Sequence, residues 1–201
     1  MVFGNDNRIK AGTLLFVGGA QFTIFLIIAE AVYPYYNVSA NFISDLGVWG
    51  EPSAAIFNPS TVIFGLLVLT SAFFIQKEFK MSIFSLVVAL SGLGAMGVGF
   101  FPENTFVVNG VPLVHTLSAG VGFIFGALAA ITSYKITKVP FRYFSVILGV
   151  AALLALILFR TTEAYDFLGL GVGGMERMVT YPTIVWTICF GGYLMASLDR
   201  K

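Results

Sequence analysis

Six long apolar stretches occupy most of the chain, and its basic residues are sorted to one side of them. A helix needs about 20 apolar residues to cross the hydrocarbon core of a bilayer. The stretches at 11–33, 59–76, 81–101, 113–134, 141–159 and 178–197 are read as such spans. Strands of a membrane barrel would alternate apolar and polar residues over about ten positions, whereas residues 146–159 are apolar throughout. Composition closes off the soluble alternative. The chain is 58% hydrophobic and 10% charged, against roughly 25% charged in soluble domains. About a third of a small domain's chain surface stays in water, and so much apolar material could not be hidden from it. The expected fold class is all-α: one transmembrane domain over residues 1–201, a bundle of six transmembrane helices. Arg8, Lys10 and Ala29-Glu30-Ala31 imitate parts of a signal peptide around the first span. Its apolar run exceeds the roughly 7–15 residues of a signal core, so it is read as a retained helix.

An even number of spans puts both ends of the chain on one side. That side holds Arg8, Lys10, Lys77, Lys80, Lys135, Lys138, Arg142, Arg200 and Lys201, and the other holds Arg160 and Arg177. Nine basic residues against two is a positive-inside pattern, which predicts a multi-pass protein of the cell membrane with both termini cytoplasmic. The acids run the other way: Glu30, Asp45, Glu51, Glu103, Glu163, Asp166 and Glu176 fall at or near the outer side. Acids contribute little to orientation. Solvated outer loops would produce this asymmetry, and so would an outward-facing polar site.

Several chemistries are absent from the pattern. The one cysteine, Cys189, lies inside the sixth span and is read as a buried small residue; alone it makes neither a redox pair nor a Cys-rich zinc site. A single histidine excludes bis-His haem ligation within the chain. No HExxH, GxSxG or paired-Cys motif occurs, and Gly169 to Gly174 lacks the Lys-Ser/Thr of a phosphate loop and is read as a flexible turn. The reading therefore assigns no cofactor and no metal. A net charge of +1 points to no nucleic acid. Membrane lipids are the expected partners, with further membrane subunits or a homo-oligomer left open.

The connections on the basic side are short, which makes neighbouring helices antiparallel. Those on the other side, at 34–58, 102–112 and 160–177, are longer and rich in Gly, Pro, Asn and acids. Long polar loops are where function concentrates. The returning helices are expected to start near Asn58-Pro59, His115 and Glu176-Arg177. Residues 39–47 are expected to form a short amphipathic outer-surface helix, with Ser39 as N-cap and Gly47 as C-cap. Tyr33, Tyr35, Tyr36 and Trp49 suit the interface there. Ser118, Gly122, Gly126 and Ala130 recur every fourth residue, and the third span carries Gly92, Gly94, Gly97 and Gly99. Such stripes let helix backbones approach closely in lipid, so spans three and four are expected to pack along Gly122 and Gly126.

The candidate polar site comprises Glu30, Asn41, Ser44, Asp45, Asn58, Glu103, His115, Arg160, Glu176 and Arg177. Glu30 lies within a span, where burying a charge is costly and an acid signals function by default; an acid reaching the headgroup layer would read the same. His115 could act as base, acid or ligand, or as an interfacial hydrogen-bonding residue. Asn41, Ser44 and Asp45 form the densest polar cluster, which loop capping would also explain. Glu103 ends the third span, where the helix dipole disfavours an acid, so a partner such as His115 or an arginine is expected. Arg160 and Glu163 have i,i+3 spacing, and Glu176 and Arg177 precede the sixth span. This group reads either as structural ion pairs or as arginines binding phosphate or carboxylate.

Asn41-Phe42-Ile43-Ser44-Asp45-Leu46-Gly47, Phe57-Asn58-Pro59, Phe101-Pro102-Glu103, His115 and Glu176-Arg177 with Tyr181-Pro182 resemble the pattern of an uncharacterised six-helix membrane family of archaea and bacteria. That family is distantly similar to eukaryotic Frag/DRAM/Sfk-type membrane proteins linked to lipid remodelling and autophagy. The resemblance covers almost the whole chain and implies the same topology and outer polar residues. It implies no reaction. The expectation is an outward-facing site for a lipid headgroup or small solute, lined by Glu30, Asp45, Glu103 and His115 with Arg160 or Arg177 at its edge. The rival is a non-catalytic subunit of a membrane complex.

Overall fold

A computed structural model describes residues 7–161 and 168–196. Its six long helices are α1 (Asn7–Val32), α2 (Ala54–Phe79), α3 (Ser82–Phe100), α4 (Leu113–Thr132), α5 (Phe141–Phe159) and α6 (Gly171–Ala196). Each is long and apolar enough to cross a membrane. In lipid a helix satisfies its backbone internally, which is why such sequences resolve into helices and not into irregular chain. Each helix packs on the next in sequence, and α6 returns to α1, so the six close into a ring. One face of the ring carries Lys77, Lys80, Lys135 and Lys138 (the basic face), and the opposite one carries Asp45, Glu51 and Glu103 (the acidic face).

Glycines set the helix spacings. A Cβ at Gly65 of α2 would lie 2.5 Å from the Gly92 carbonyl oxygen of α3, and one at Gly12 of α1 would lie 2.6 Å from that of Gly191 in α6. Helices α3 and α4 cross where expected, beside Gly122, but the residue that must be glycine is its partner. A Cβ at Gly94 would lie 2.6 Å from the Gly122 Cα and 2.8 Å from the Ser118 carbonyl oxygen. At Gly122 itself the nearest atom is 3.5 Å away, which is ordinary contact.

Towards the basic face the core of the ring is built from Leu15, Ile75, Phe84 and Leu194 with a stack in which the Trp186 and Phe190 ring centroids lie 5.0 Å apart. Towards the acidic face the core is completed by the first loop, whose Ile43 and Leu46 are buried among Phe22, Phe57 and Ile184. The loop is therefore a plug in the mouth of the ring.

Several expected boundaries shift. The loop holds one 3-10 turn, Ser44–Gly47, in place of a helix over 39–47. Side chains take the backbone donors that a helix would need. Asn37 Oδ1 accepts the Ser39 and Ala40 N–H groups at 2.9 and 3.1 Å, and Asp45 Oδ2 accepts the Phe42 N–H at 2.9 Å. Ser39 is not a cap; its hydroxyl donates to the Leu170 carbonyl at 2.7 Å. Helix α2 begins at Ala54, so Asn58 and Pro59 lie inside it and do not open it. Likewise Gly171, Gly173 and Gly174 are the start of α6 and not a flexible turn. The reason is a tertiary cap: the Gly173 N–H, left without a partner in its own helix, donates to the Ser39 carbonyl at 2.8 Å. Glu176 and Arg177 consequently sit within α6 rather than ahead of it. Cys189 is exposed on the outside of the ring, contrary to the buried reading. Glu163 and Asp166, and with them the Arg160–Glu163 pairing, lie outside the described residues.

One element was not foreseen. β1 (Val107–Val108) and β2 (Val111–Pro112) form a small antiparallel hairpin with Val108 opposite Val111. Asn109 and Gly110 make its two-residue turn with φ of 51° and 78°. Both positive values belong to the turn type that Asn-Gly favours, so the dipeptide was a usable signal.

Candidate functional site

Two polar clusters lie side by side under the acidic face. The first is built on Arg177. Its Nη2 donates to Glu30 Oε1 at 2.5 Å and to the Tyr36 hydroxyl at 2.7 Å. Its Nη1 donates to the carbonyls of Val38 at 2.9 Å, Asn41 at 3.3 Å and Gly173 at 2.9 Å. Tyr36 in turn donates to the Phe42 carbonyl at 2.7 Å. The guanidinium thus ties α1, the first loop and α6 together. Burial pushes the Tyr36 phenol up to about 12, against the hydrogen bond and charge of Arg177, which pull it down. The phenol stays protonated, as its bond to Phe42 requires.

The second cluster surrounds His115, in the first turn of α4. Its Nδ1 lies 2.9 Å from the Phe101 carbonyl. A carbonyl only accepts, so Nδ1 carries the proton in either charge state. Nε2 is left facing Glu103 Oε1 at 3.6 Å. Ser44 donates to that same carboxylate oxygen at 2.6 Å. Glu103 is placed by its neighbour: the Asn104 side chain accepts the Trp49 N–H at 3.1 Å and donates to the Trp49 carbonyl at 3.0 Å. Glu176 closes the cluster from α6, and its Oε2 accepts the Ile43 N–H.

These groups stand where two cavities meet. A chamber of about 90 Å³ lies inside the ring, lined by residues such as Phe22, Phe64, Val98, Thr180 and Ile184. Its hydroxyls are largely turned to their own helices: Thr61 donates to the Phe57 carbonyl and Thr180 to that of Glu176. The walls are therefore apolar in effect. A groove of about 400 Å³ runs between α4 and α5, lined by Thr116, Gly120, Ile124, Leu156, Phe159 and Arg160. Ser44, His115, Ala119, Phe123 and Glu176 line both. A Cβ built on Gly120 meets nothing within 4 Å, so the groove is open along α4.

The ten residues singled out from the sequence thus divide by place. Ser44, Glu103, His115, Arg160 and Glu176 share the groove. Glu30 and Arg177 form the ion pair beside it. Asn41 and Asp45 hydrogen-bond each other at 3.1 Å and shape the first loop. Asn58 donates to the Gly47 carbonyl at 2.8 Å and fastens the plug to α2. The single cavity expected to take Glu30 and Asp45 together with Glu103 and His115 is replaced by this division. In sequence Tyr36 reads only as an interfacial aromatic. Gly120, Phe123 and Phe159 carried no sequence signal, because an apolar groove wall reads like any lipid-facing residue. Among the described residues no three His, Cys, Asp or Glu side chains converge to hold a metal.

The fold and these clusters define a multi-pass helical membrane protein with a buried polar centre under one face. Residues 16–193 match the family model described as a protein of unknown function, DUF998. The match spans most of the chain, and the chain belongs to that family. No curated protein and no solved structure matches it.

Proposed function

We propose that the chain recognises or processes a lipid headgroup, or a small solute of similar chemistry, at an outward-facing site made of Ser44, Glu103, His115 and Glu176. One observation carries this reading: the polar cluster lies where an apolar chamber joins a groove between two membrane helices. Ligand sites are concave, mostly apolar and carry a few convergent polar groups. An amphiphile could enter sideways between α4 and α5 and bring its polar end to His115. In the neutral ring Nε2 accepts a proton, so it is the atom through which processing would proceed.

Gly120→Phe tests the reading cleanly, because open space at Gly120 lets a side chain fill the groove without disturbing the fold. The variant should keep its thermal midpoint and lose the lipid that the wild type retains in native mass spectrometry. Equal retention by both would end this assignment of the groove. The outward orientation is tested by thiol labelling of sealed cells carrying Gly50→Cys or Lys138→Cys in a Cys189→Ser background. Only the first should react, and labelling at position 138 would invert the topology.

The accessory-subunit reading draws support from the hairpin, where Phe106, Val107, Val108 and Val111 are exposed at the acidic face. Under that reading Val108→Glu should release a stoichiometric partner from gently extracted membranes. Under the headgroup reading it should leave lipid retention unchanged.

A further inference from the structure

Glu103 and Glu176 both face the groove, and neither is matched there by a lysine or arginine. Among the described residues the ion pairs are Glu30–Arg177 and Glu103–His115. Arg177 follows Glu176 directly but points the other way, committed to Glu30 and to three carbonyls. Arg160 lines the groove, is exposed, and lies beyond ion-pair distance of both acids. Glu176 is only 7% exposed. One of its oxygens is held by Ile43, and no donor among the described residues reaches the other. Buried charge is costly unless it is paired. Among the described residues no lysine or arginine forms an ion pair with Glu176.

We infer that the ligand is an amphiphile of the leaflet at the acidic face, whose headgroup carries a protonated amine bound between Glu103 and Glu176 while its chain lies in the groove between α4 and α5. This rests on the reading of the groove as a ligand site. An ammonium group offers three donors and a positive charge. It can donate to more than one carboxylate oxygen while supplying the counter-charge, which neither a hydroxyl nor a phosphate can do. An anionic headgroup would meet two acids, with Arg160 the one arginine among the described residues that line the groove. A free amine would leave the apolar walls of Phe123, Ile124, Leu156 and Phe159 without an occupant.

The probes are octadecylamine, octadecanol and octadecyl phosphate, doped at equal mole fraction into phosphatidylcholine nanodiscs holding the full chain. Retention is read by native mass spectrometry. The wild type should retain the amine at least about tenfold more than the other two, the ratio one hydrogen bond to a charged group supplies. The Glu103→Gln/Glu176→Gln double variant should lose that preference. Its amide oxygen at 176 can still accept the Ile43 N–H, so its thermal midpoint should remain near wild type. If the variant fails to fold, the preference is read from Glu103→Gln alone, because Ser44 can donate equally to a glutamine. Gly120→Phe should lose all three probes. Equal or greater retention of octadecanol or octadecyl phosphate by the wild type would overturn the amine while leaving the groove as a lipid site. Full displacement of octadecylamine by an equal concentration of ethanolamine would overturn the amphiphile. No retention of any probe would overturn the groove reading and this inference with it.

Discussion

Glu176 and Arg177 are adjacent in the chain, both buried, and belong to two different kinds of surroundings. Arg177 is the centre of a knot: a carboxylate, a phenol and three carbonyls from α1, the first loop and α6 converge on its two terminal nitrogens. Glu176 faces outward from the same helix turn into a cavity, with one hydrogen bond to Ile43. Arg177 lines neither cavity. The second arrangement leaves hydrogen-bonding capacity unused beside open volume. The comparison separates polar residues that hold the fold from polar residues available to something else. In lipid that separation is sharp, because an unpaired group has no water to fall back on.

The largest expected effect breaks the knot. Arg177→Met leaves the largely buried Glu30 without its ion-pair partner and takes the shared donor from the Tyr36 oxygen and three carbonyls. Removing one member of a buried pair costs about 3–5 kcal/mol. The variant should show a large drop in thermal midpoint or fail to accumulate in the membrane, and wild-type stability would mean that the knot does not hold the three segments together. Glu176→Gln, one residue earlier, should not lower the thermal midpoint, since the amide oxygen keeps an acceptor for the Ile43 N–H.

The next effect concerns the helix contact that positions His115. Gly94→Ala forces a methyl group into the backbone of α4, and overpacking of this kind costs about 1–3 kcal/mol. Gly122→Ala, across the same contact, should be tolerated, because its Cβ finds 3.5 Å of clearance. Equal thermal midpoints for the two variants would refute the asymmetry.

The smallest effect is a pH dependence confined to the knot. The folded value of Tyr36 is raised from 10.0 to about 12, chiefly by burial. A raised value favours the protonated form, so its contribution to stability is whole below pH 10 and is lost as pH rises towards 12. Tyr36→Phe should melt lower than wild type at neutral pH, and the gap should narrow through that alkaline window. A gap that stays constant would show that the phenol's proton does not matter to the knot. Because His115 and Glu103 belong to the other cluster, neither should influence this gap.

How much of this was legible in the sequence differs by element. Residues such as Ser44, Glu103, His115 and Glu176 stood out because a polar residue at the edge of an apolar run is conspicuous without any neighbours. Glu30 and Arg177 stood out equally, so conspicuousness could not distinguish the knot from the cavity. The first loop reads as a helix because Phe42, Ile43 and Leu46 have helical spacing, yet it holds only the turn Ser44–Gly47. The competing hydrogen bonds from Asn37 and Asp45 are local, and those residues were visible, but their geometry was not. The hairpin could have been read from Asn109-Gly110 between valines.

The sequence by itself determined the six membrane helices and the sorting of charge between two faces. Hydropathy sums over a single segment and needs no knowledge of what packs beside it. Only the tertiary structure decided which way each polar residue faces. Consecutive helical residues project about 100° apart, so Glu176 and Arg177 must diverge, but the rotation of α6 decides which of them meets Glu30. That rotation is set by contacts distant in sequence: Gly191 against Gly12, and Gly173 against the Ser39 carbonyl. The open groove follows from the same cause, since it is the space that α4 and α5 leave between them once their neighbours have fixed their places.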